Sequence, residues 1–300
     1  MLLVNNDSGQ DCLTKRRLFM KYYVLYNPLA GNKTCAEKTE KLKGIYGENA
    51  EYCDMTEITD YSEFFAKLCD DDVIVISGGD GTINRFVNET EGVEIKNEIL
   101  YYAAGTGNDF LRDVEGADQN APFSLRKYIT DLPTVEVNGK SYRFLNGVGY
   151  GIDGYCCEVG DKIRETSDKP INYAGIAIKG VLFHFHPANA VVTVDGVEHR
   201  YKKVWICPTM HGRYYGGGMK ATPDQDRLSG THEVTTMVWH DVGKLRTLMA
   251  FPGIFKGEHT KHKFITLHKG REIKVEFDRP TALQIDGETV LGVTSYTVHA

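Results

Sequence analysis

The sequence predicts an α/β domain built on a parallel sheet, followed by a β-rich, sandwich-like domain, with a cleft between the two. Over residues 20–132, short apolar runs alternate with helical segments at the spacing of crossover connections, which is typical of a parallel sheet covered by helices. Over residues 133–300, segments of alternating apolar and polar residues are separated by glycine-containing turns, which indicates antiparallel strands.

The elements of the first domain follow from its pattern of apolar residues. Four strands are predicted, at residues 22–26, 51–55, 73–77 and 99–104. The run Val73–Ser77 is continuously apolar up to its last residue, which indicates a strand buried on both faces. Helices are predicted between and after the strands, at residues 35–47, 61–69 and 82–88.

The second domain is predicted to consist of hairpins with a single embedded helix. Asn138-Gly139 and Asp195-Gly196 are the dipeptides that two-residue hairpin turns favour. The apolar segment at residues 171–183 is predicted to be the helix. We leave open whether the last residues pack back against the first domain. Residues 1–19 lack an apolar core and are predicted to be a disordered extension, so the sequence leaves open whether Met1 or Met20 is the true start.

The composition narrows the class of protein. The chain has 300 residues with 35 Lys and Arg against 41 Asp and Glu, a net charge of −6, which gives no support for a nucleic-acid partner. Seven scattered cysteines without a CxxC pair predict free thiols in a reducing compartment. No apolar run is long enough to span a bilayer. We therefore expect a cytoplasmic protein.

Three glycine-bearing loops follow predicted strands. They are NPLAGNKT, GGDGT and AAGTGND, at residues 27–34, 78–82 and 103–109. Ligands of a parallel sheet bind beyond the carboxyl ends of its strands, where all three loops fall. Glycines let backbone N–H groups approach an anion, and a following helix N-terminus favours negative charge. The three loops together predict a phosphate-binding surface.

Asp80 places a carboxylate in the middle of this surface. A carboxylate repels phosphate unless a cation lies between them, and Mg²⁺ binds through one or two carboxylates together with substrate phosphates. Asp109 offers a second carboxylate on the neighbouring loop. The alternative is that each residue caps the helix that follows it. The loops match neither GxxxxGK[ST] nor GxGxxG.

The segment LQIDGETV brings two further acids together, Asp286 and Glu288, on either side of Gly287. One interpretation is an ordinary Asp-Gly hairpin turn. The other is an acid pair that accepts the proton of a hydroxyl nucleophile, which is the chemistry that the three glycine loops do not supply.

The motifs NPLAG, SGGDGTINRFVN, GTGNDFLR, GGGMKATPD, GEHTKH and QIDGE, in this order, resemble the diacylglycerol kinase catalytic domain family, which includes bacterial lipid kinases and is related to sphingosine and ceramide kinases. The resemblance covers residues 21–290. It implies a nucleotide-binding α/β domain like those of NAD kinases and phosphofructokinases, a lipid-binding β domain, and an active site in the cleft. The implied activity is transfer of the γ-phosphate of ATP, with Mg²⁺, to the hydroxyl of a lipid alcohol such as diacylglycerol.

The resemblance also implies which residues form the site. Contacts to ATP are expected from the glycine loops and their neighbours, at Asn27, Pro28, Gly31, Thr56, Gly78, Gly79, Asp80, Gly81, Thr82, Asn84, Gly105 and Thr106. Catalytic roles fall to Asp80, Asp286 and Glu288, and which of the last two is the base stays open. Asp80 and Asp109 are the expected metal ligands.

One part of the family pattern is altered. The family often holds a second, structural Mg²⁺ with a D-D-G-x-x-D loop, whereas this chain has Leu228, Ser229 and Glu233 at the corresponding positions. Glu136 stands where the family has an Asp. The loop of Ser229 and Glu233, together with Glu136, is therefore the candidate for this second metal site in an altered form.

The resemblance implies a lipid substrate reached by peripheral, transient contact with a membrane, without a transmembrane segment. The apolar segment Tyr173–Phe183 is a candidate for the acyl-chain slot, and 261–263 or 202–203 are candidate basic contacts to anionic lipid. The alternatives are a kinase of a soluble substrate, as in NAD kinases, and a non-catalytic lipid- or nucleotide-binding module. The sequence leaves open which lipid is the substrate and whether the chain forms a homodimer.

Overall fold

The computed structural model describes residues 20–28, 35–105, 107–167 and 171–300. The expected extension at residues 1–19, and the predicted site residues Gly31 and Thr106, lie outside these ranges. The strands of the first domain are β1 Tyr22–Tyr26, β2 Ala50–Asp54, β3 Val73–Gly78, β4 Glu98–Ala103 and β5 Phe123–Ser124. Its helices are α1 Cys35–Thr39, α2 Leu42–Tyr46, α3 Tyr61–Ala66, α4 Asp80–Glu89, α5 Asp109–Asp113 and α6 Arg126–Ile129, with a 3₁₀ turn at Gly47–Asn49.

The first sheet has the strand order β2-β1-β3-β4-β5. Strands β1 to β4 are parallel, as predicted, and β5 adds a short antiparallel edge to β4. All six residues of β3 are buried, which agrees with its continuous apolar run. The register pairs Tyr26 with Ser77 and Gly78 with Ala103, so the loops that follow these strands leave the same edge of the sheet.

The predicted helix at residues 35–47 is divided into α1 and α2. Neither short helix exceeds five residues, and Gly47, with φ of 57°, ends the second one in the left-handed region. The buried side of α1 consists of Cys35 and Thr39. The Cys35 thiol donates to the carbonyl of Ser77, and the Thr39 hydroxyl is 2.8 Å from the Ser77 hydroxyl. These contacts fix α1 against the end of β3.

Over its described residues, the second domain contains ten strands and three longer helical segments. The strands are β6 Thr134–Val137, β7 Lys140–Arg143, β8 Gly147–Gly151, β9 Ala188–Val194, β10 Val197–Val204, β11 Ile206–Met210, β12 Val234–Trp239, β13 Ile265–Gly270, β14 Glu272–Ile285 and β15 Glu288–His299. The helices are α7 Ile152–Arg164, α8 Tyr173–Lys179 with a π-helical turn at Gly180–His184, and α9 Lys244–Ala250, followed by 3₁₀ turns at Phe251–Lys256 and Glu258–Lys261.

These ten strands form one antiparallel sheet that curls around its own core. Its main path is β13-β12-β11-β8-β14-β15-β6-β7, and β9 with β10 branches from the long strand β14. Because β14 pairs with β8, β9 and β15 along its 14 residues, with register shifts near its middle, the sheet bends there. Side chains from both halves of the sheet meet in one apolar cluster. The predicted sandwich-like β domain is therefore confirmed.

The hairpin predictions are also confirmed. Asn138-Gly139 joins β6 to β7 and Asp195-Gly196 joins β9 to β10, each with two consecutive positive φ angles. Asp286-Gly287 joins β14 to β15 in the same way, with φ of 47° and 94° and a register that pairs Ile285 with Glu288. Asp is tolerated in the left-handed region that such turns require, and glycine favours it.

Two helices of the second domain were not predicted. The first, α7, has 13 residues and buries Ile152, Cys156 and Gly160, a spacing of four that marks one helical face. Its early glycine, Gly154, packs against the carbonyl of Ala282 in β14, where a side chain would not fit. The second is α9. Both lie inside a stretch of β patterning, which is why the sequence pattern did not predict them.

In the part of the chain that the structure describes, no helix is long and apolar enough to cross a bilayer. The six described cysteines are free thiols, as predicted.

Candidate active site

The second and third glycine loops meet in backbone contact at the carboxyl edge of the first sheet. Gly79 and Gly105 are so close that a Cβ on Gly105 would lie 2.9 Å from the backbone nitrogen of Gly79 and 2.8 Å from Oδ1 of Asn108. Gly81 faces open space instead, with nothing within 4 Å of a Cβ built on it. Gly79 and Gly105 thus allow the two loops to pack closely, whereas Gly81 leaves its backbone exposed to solvent.

Asp80 joins the same two loops through its side chain. Its carboxylate accepts hydrogen bonds from the backbone N–H groups of Asp109 (2.8 Å) and Phe110 (3.0 Å), which begin α5. Asp80 therefore caps a helix, but it is the helix of the neighbouring loop and not its own. Burial raises the pKa of Asp80, and the two N–H donors act in the opposite direction. Its role as a metal ligand stays a prediction.

Asp109 lies beside Asp80 and contacts the second domain. One oxygen accepts from Arg112 (3.0 Å) and the other from the backbone N–H of Gly217 (2.7 Å), in the GGGMK segment. Burial and the neighbouring charge of Asp80 raise the pKa of Asp109 to about 6. Two adjacent carboxylates that resist ionisation fit a place where a cation binds. These two acids are the residues that would hold Mg²⁺.

The other expected ATP contacts lie around this edge. Asn27 and Pro28 follow β1, and Gly78 ends β3 so close to Thr82 that no side chain would fit on Gly78. Thr56 is exposed just beyond β2, where its hydroxyl donates to Asp54 (2.6 Å). All of these positions agree with the predicted phosphate-binding edge, and their contacts to ATP stay predictions.

Two polar side chains at this edge were missed from sequence. Lys38 of α1 donates to the carbonyl of Gly105 (3.0 Å), which places an ammonium group beside the glycine loops. Asn108 donates to the same carbonyl (3.0 Å), while its Oδ1 is buried and has no partner among the described residues. A buried acceptor without a donor fits a site that a ligand completes. A lysine following a glycine loop was the available signal for Lys38.

Asp286 ties the second domain to the first. Its Oδ1 accepts from the backbone N–H groups of Asn146 (2.8 Å) and Gly147 (3.0 Å), and its Oδ2 accepts from Leu145 N–H and from Asn84 Nδ2 (2.8 Å). All four lone-pair directions of the carboxylate are thus in use. Burial raises the pKa of Asp286, and these four donors oppose the rise.

The two acids of QIDGE do not converge. Asp286 turns into the interface with the first domain, whereas Glu288, two residues later, is exposed at the start of β15. Within the described chain, no hydrogen bond or ion pair involves the Glu288 carboxylate. The Asp-Gly turn and the acid pair are therefore both present, but the two acids occupy different environments.

Asn84 was expected to contact ATP and is placed at this interface. It is buried, and besides its bond to Asp286 it donates to the carbonyl of Arg143 (3.2 Å) at the end of β7. Asn88, one turn later in α4, donates to the same carbonyl and accepts from the Arg143 N–H group (both 2.9 Å). This face of α4 thus joins the two domains.

Asn146 and Arg227 complete the connection, and sequence reasoning found neither. The Oδ1 of Asn146 accepts from Arg227 (3.1 Å) and its backbone N–H donates to Asp286 (2.8 Å), while its side chain opposes the rise in the pKa of Asp80. Arg227 is buried, pairs with Asp113 (2.6 Å) and donates to the carbonyl of Leu145 (3.0 Å). Their chain neighbours are ordinary strand and loop residues, so no local pattern marked them.

The candidate second metal site is not assembled. Glu233 pairs with Lys269 (3.2 Å), the Ser229 hydroxyl is 3.0 Å from that of Thr231, and exposed Glu136 faces His299 (3.8 Å). Over the described ranges, no three His, Cys, Asp or Glu side chains are grouped as metal ligands. The residues at these positions do not fit a structural metal ion.

Comparison with protein families agrees with this geometry. Residues 21–133 match the family model "Diacylglycerol kinase catalytic domain", and residues 146–299 match "YegS C-terminal NAD kinase beta sandwich-like domain". The chain therefore belongs to the family that has the YegS C-terminal domain, its residues 21–133 match the diacylglycerol kinase catalytic domain, and it is an enzyme of the kinase class. The family resemblance stated from the sequence motifs is confirmed.

Relatives of known sequence and structure are distant. A diacylglycerol kinase of Mycobacterium tuberculosis (strain H37Rv) is 25% identical over 213 residues, which cover 68% of this chain and 67% of that protein. A crystal structure of a diacylglycerol kinase from Bacillus anthracis str. Sterne has a TM-score of 0.61 at 22% identity and covers 95% of this chain and 96% of that one. This likeness supports the fold.

Proposed function

We propose that this kinase transfers the γ-phosphate of ATP, bound with Mg²⁺, to the hydroxyl group of a lipid alcohol such as diacylglycerol. One observation carries the proposal. Asp286, in the hairpin of the second domain, accepts a hydrogen bond from Asn84 (2.8 Å) of α4, the helix that begins at Asp80 in the second glycine loop. A phosphate donor and an acceptor hydroxyl held on the two sides of this cleft would therefore meet.

The first domain supplies the phosphate side. Open backbone at Gly81 and the ammonium of Lys38 favour negatively charged phosphate oxygens. Mg²⁺ supplies charge neutralisation when it is bound, and Asp80 with Asp109 would hold it there. The remaining buried acceptor, Asn108 Oδ1, would accept from a water or a nucleotide N–H group. These groups act by position and charge, which carry most of the catalysis in phosphoryl transfer.

The second domain supplies the acceptor side. Glu288 is the acid positioned to accept the hydroxyl proton, because it is exposed and has no competing donor in the described part of the chain. The carboxylate of Asp286 has no lone pair left for a substrate. It acts as a positioning residue that holds 145–147 and, through Asn84, the first domain.

A groove in the second domain would take the acyl chains. It has a volume of about 300 Å³ and lies between α7 and the β14–β15 hairpin, lined mainly by Tyr155, Phe185, Ala282 and Leu291. Leu291 is three residues from Glu288 along β15. The predicted slot at Tyr173–Phe183 differs from this one, because the inner side of that helix is packed in an apolar core.

The test is transfer of γ-labelled phosphate from ATP to a panel of diacylglycerol, phosphatidylglycerol, sphingosine, ceramide and, as a soluble control, NAD. We expect transfer to one lipid and none to NAD. Glu288→Gln should lower kcat about 10²- to 10⁴-fold with an unchanged unfolding midpoint. Asp286→Asn should lower both kcat and the midpoint. Glu198→Gln, an exposed acid on β10, is the matched control and should behave as wild type.

Transfer to NAD alone would favour the soluble-substrate kinase. ATP binding without transfer to any acceptor would favour a non-catalytic module. An active Glu288→Gln enzyme beside an inactive but stable Asp286→Asn enzyme would exchange the roles given to the two acids.

A further inference from the structure

The second domain exposes a cluster of large apolar side chains on two adjacent helical segments. They come from α8 with its π-helical turn, from α9 and from the 3₁₀ turn that follows it: Ile178, Leu182, Phe183, Leu245, Met249 and Phe255. We call this set the apolar face. Phe183, Leu245 and Met249 are each about 70% exposed, at 68%, 71% and 67%. Exposed apolar clusters of this kind mark interaction surfaces in folded proteins.

The two segments form one surface. The Lys244 ammonium, at the start of α9, donates to the carbonyl of Leu182 in the π-helical turn (2.9 Å). Their inner sides share a buried core that includes Val181 and Ala250. Because the inner sides are packed together, the exposed side chains project from the same region of the domain.

Basic residues surround the apolar face. Within residues 171–186 and 241–264 there are six Lys and Arg against two acids, although the whole chain has a net charge of −6. The exposed cations are Lys179, Lys244, Arg246, Lys256, Lys261 and Lys263. Of the two acids, Asp241 already pairs with His240 (2.9 Å). Apolar side chains within a rim of cations complement an anionic bilayer surface.

The apolar face is also connected to the site. The carbonyl of Ile254, in the 3₁₀ turn of the apolar face, accepts from the N–H of Lys220 (2.9 Å). Three residues before Lys220, the N–H of Gly217 donates to the site residue Asp109 (2.7 Å). On the other side, Phe183 precedes by two residues Phe185, which lines the 300 Å³ groove. A membrane held on this face would lie beside the groove entrance.

We infer that the apolar face is a docking surface for an anionic membrane, through which the enzyme reaches a lipid that stays in the bilayer. The inference rests on the proposed function, and it adds the surface and the charge of the lipid that the surface prefers. Phe183, Leu245 and Met249 enter the interfacial region, while Arg246 and Lys256 contact anionic headgroups.

The first measurement is cosedimentation with vesicles of phosphatidylcholine, with or without about 30% phosphatidylglycerol. Wild type should bind the anionic vesicles about tenfold more tightly or better. A variant with Phe183→Ser, Leu245→Ser and Met249→Ser should lose about tenfold on both kinds of vesicle. Arg246→Glu with Lys256→Glu should lose the preference for anionic vesicles, and about 0.5 M salt should have the same effect on wild type.

Matched controls alter exposed residues away from the face. Ile45→Ser with Val197→Ser removes apolar side chains of similar exposure, and Lys41→Glu with Lys140→Glu reverses the same number of charges. Both control variants should bind vesicles as wild type does. If they lose as much binding as the face variants, a general effect of surface composition replaces the docking surface.

Activity separates this inference from the proposed function. With a short-chain, water-dispersed diacylglycerol, the apolar variant should match wild type within about twofold, and with diacylglycerol in anionic vesicles it should lose about tenfold. Equal loss on both substrates, or unchanged vesicle binding, overturns the docking surface and leaves the kinase activity standing. Wild type that binds vesicles through the face yet phosphorylates no lipid overturns the proposed function alone. A wild-type dimer that the apolar variant converts to monomer in sedimentation velocity assigns the face to a second copy and overturns the inference.

Discussion

Gly105 is the residue whose size matters most to the glycine loops. A Cβ there would meet backbone atoms of Gly79 and the side chain of Asn108, and backbone cannot give way as a flexible side chain can. We expect Gly105→Ala to lower the free energy of unfolding by about 1–3 kcal/mol and to weaken ATP binding, because the loops must separate.

The matched control for Gly105→Ala is Gly81→Ala, in the second glycine loop. Open space surrounds a Cβ at Gly81, and the residue lies in the first turn of α4. Alanine is favoured over glycine in a helix by about 0.5–1 kcal/mol, so Gly81→Ala should unfold at the same urea concentration or a higher one. Equal destabilisation of both variants would contradict the close loop packing.

His211 should make stability depend on pH. It is buried, and burial together with the nearby positive charge of Arg227 lowers its pKa from 6.5 to about 3. Between these values the unfolded chain binds a proton that the folded protein does not, so this contribution to stability is complete above about pH 6.5 and is lost as pH falls. From about pH 7 to pH 5 the loss is about 2 kcal/mol.

Urea unfolding at these two pH values checks the effect. The His211→Gln variant should lose about 2 kcal/mol less than wild type between pH 7 and pH 5, whatever its stability at pH 7. The exposed His262→Gln variant is the control and should follow wild type. Parallel pH profiles for wild type and His211→Gln would show that His211 takes up its proton in the folded state.

Some site residues belong to short sequence motifs and could be predicted, whereas others are defined only by contacts that are distant in sequence. Gly79, Asp80 and Gly105 belong to short motifs that imply their chemistry directly, and the structure brings them together. Asn146 bonds to Asp286, which is 140 residues away along the chain, and Arg227 bonds to Asn146, which is 81 residues away. No local pattern encodes such contacts, since they depend on how the two domains meet.

Helix α5 depends on a cap borrowed from another loop. Asp80 accepts from the first two N–H groups of α5, and the loss of such a cap costs about 0.5–2 kcal/mol. Asp80→Asn keeps one oxygen acceptor, so the free energy of unfolding should fall by no more than about 1 kcal/mol. Phosphate transfer should fall about 10²-fold or more, because a carboxylate that would hold Mg²⁺ against the phosphates is gone.

Asp60 provides the matched control for this cap. It caps α3 of the same domain by accepting from the N–H of Glu63 (3.0 Å), and it is exposed. Asp60→Asn should therefore change stability by a similar amount and leave phosphate transfer unchanged. If Asp80→Asn keeps full activity, the capping role is the whole role of Asp80.

Among the helices and strands, those with long periodic sequence patterns were predictable. Short elements, and elements that depend on tertiary packing, were not. The buried run of β3 and the turns at Asn138-Gly139 and Asp195-Gly196 were identified from sequence, and a turn at Asp286-Gly287 was one of two interpretations. Helix α7 was missed because its buried face has only one large apolar residue, Ile152, beside the small Cys156 and Gly160. Its stability comes from packing on β14, which the local sequence does not show.

At the scale of the whole molecule, Arg227 connects the two domains. It lies next in sequence to the 228–233 loop, which was the candidate for a structural metal site. Its guanidinium lies between Asp113 of the first domain and the 145–146 backbone and side chain of the second. Arg227→Met should lower the free energy of unfolding by about 3–5 kcal/mol, because Asp113 and the Leu145 carbonyl would be left buried with fewer donors. Differential scanning calorimetry would measure this loss.

The control is Arg213→Met, which removes a more exposed partner of the same Asp113 and should cost less. In addition, EDTA should not shift the unfolding midpoint of wild type in the absence of nucleotide. A midpoint several degrees lower in EDTA would show a resident metal ion and would contradict the role given to Arg227.

The hydrogen bond between Asn84 and Asp286 spans 202 residues of sequence and has a consequence for synthesis of the chain. During translation the first domain, with all its glycine loops, leaves the ribosome long before the β14–β15 hairpin does. The nascent first domain can therefore fold while its interface with the hairpin is still absent. If the proposed roles of Asp286 and Glu288 hold, we expect a nascent chain to stay inert as a kinase until this hairpin has emerged, because Asp286 is translated 202 residues after Asn84.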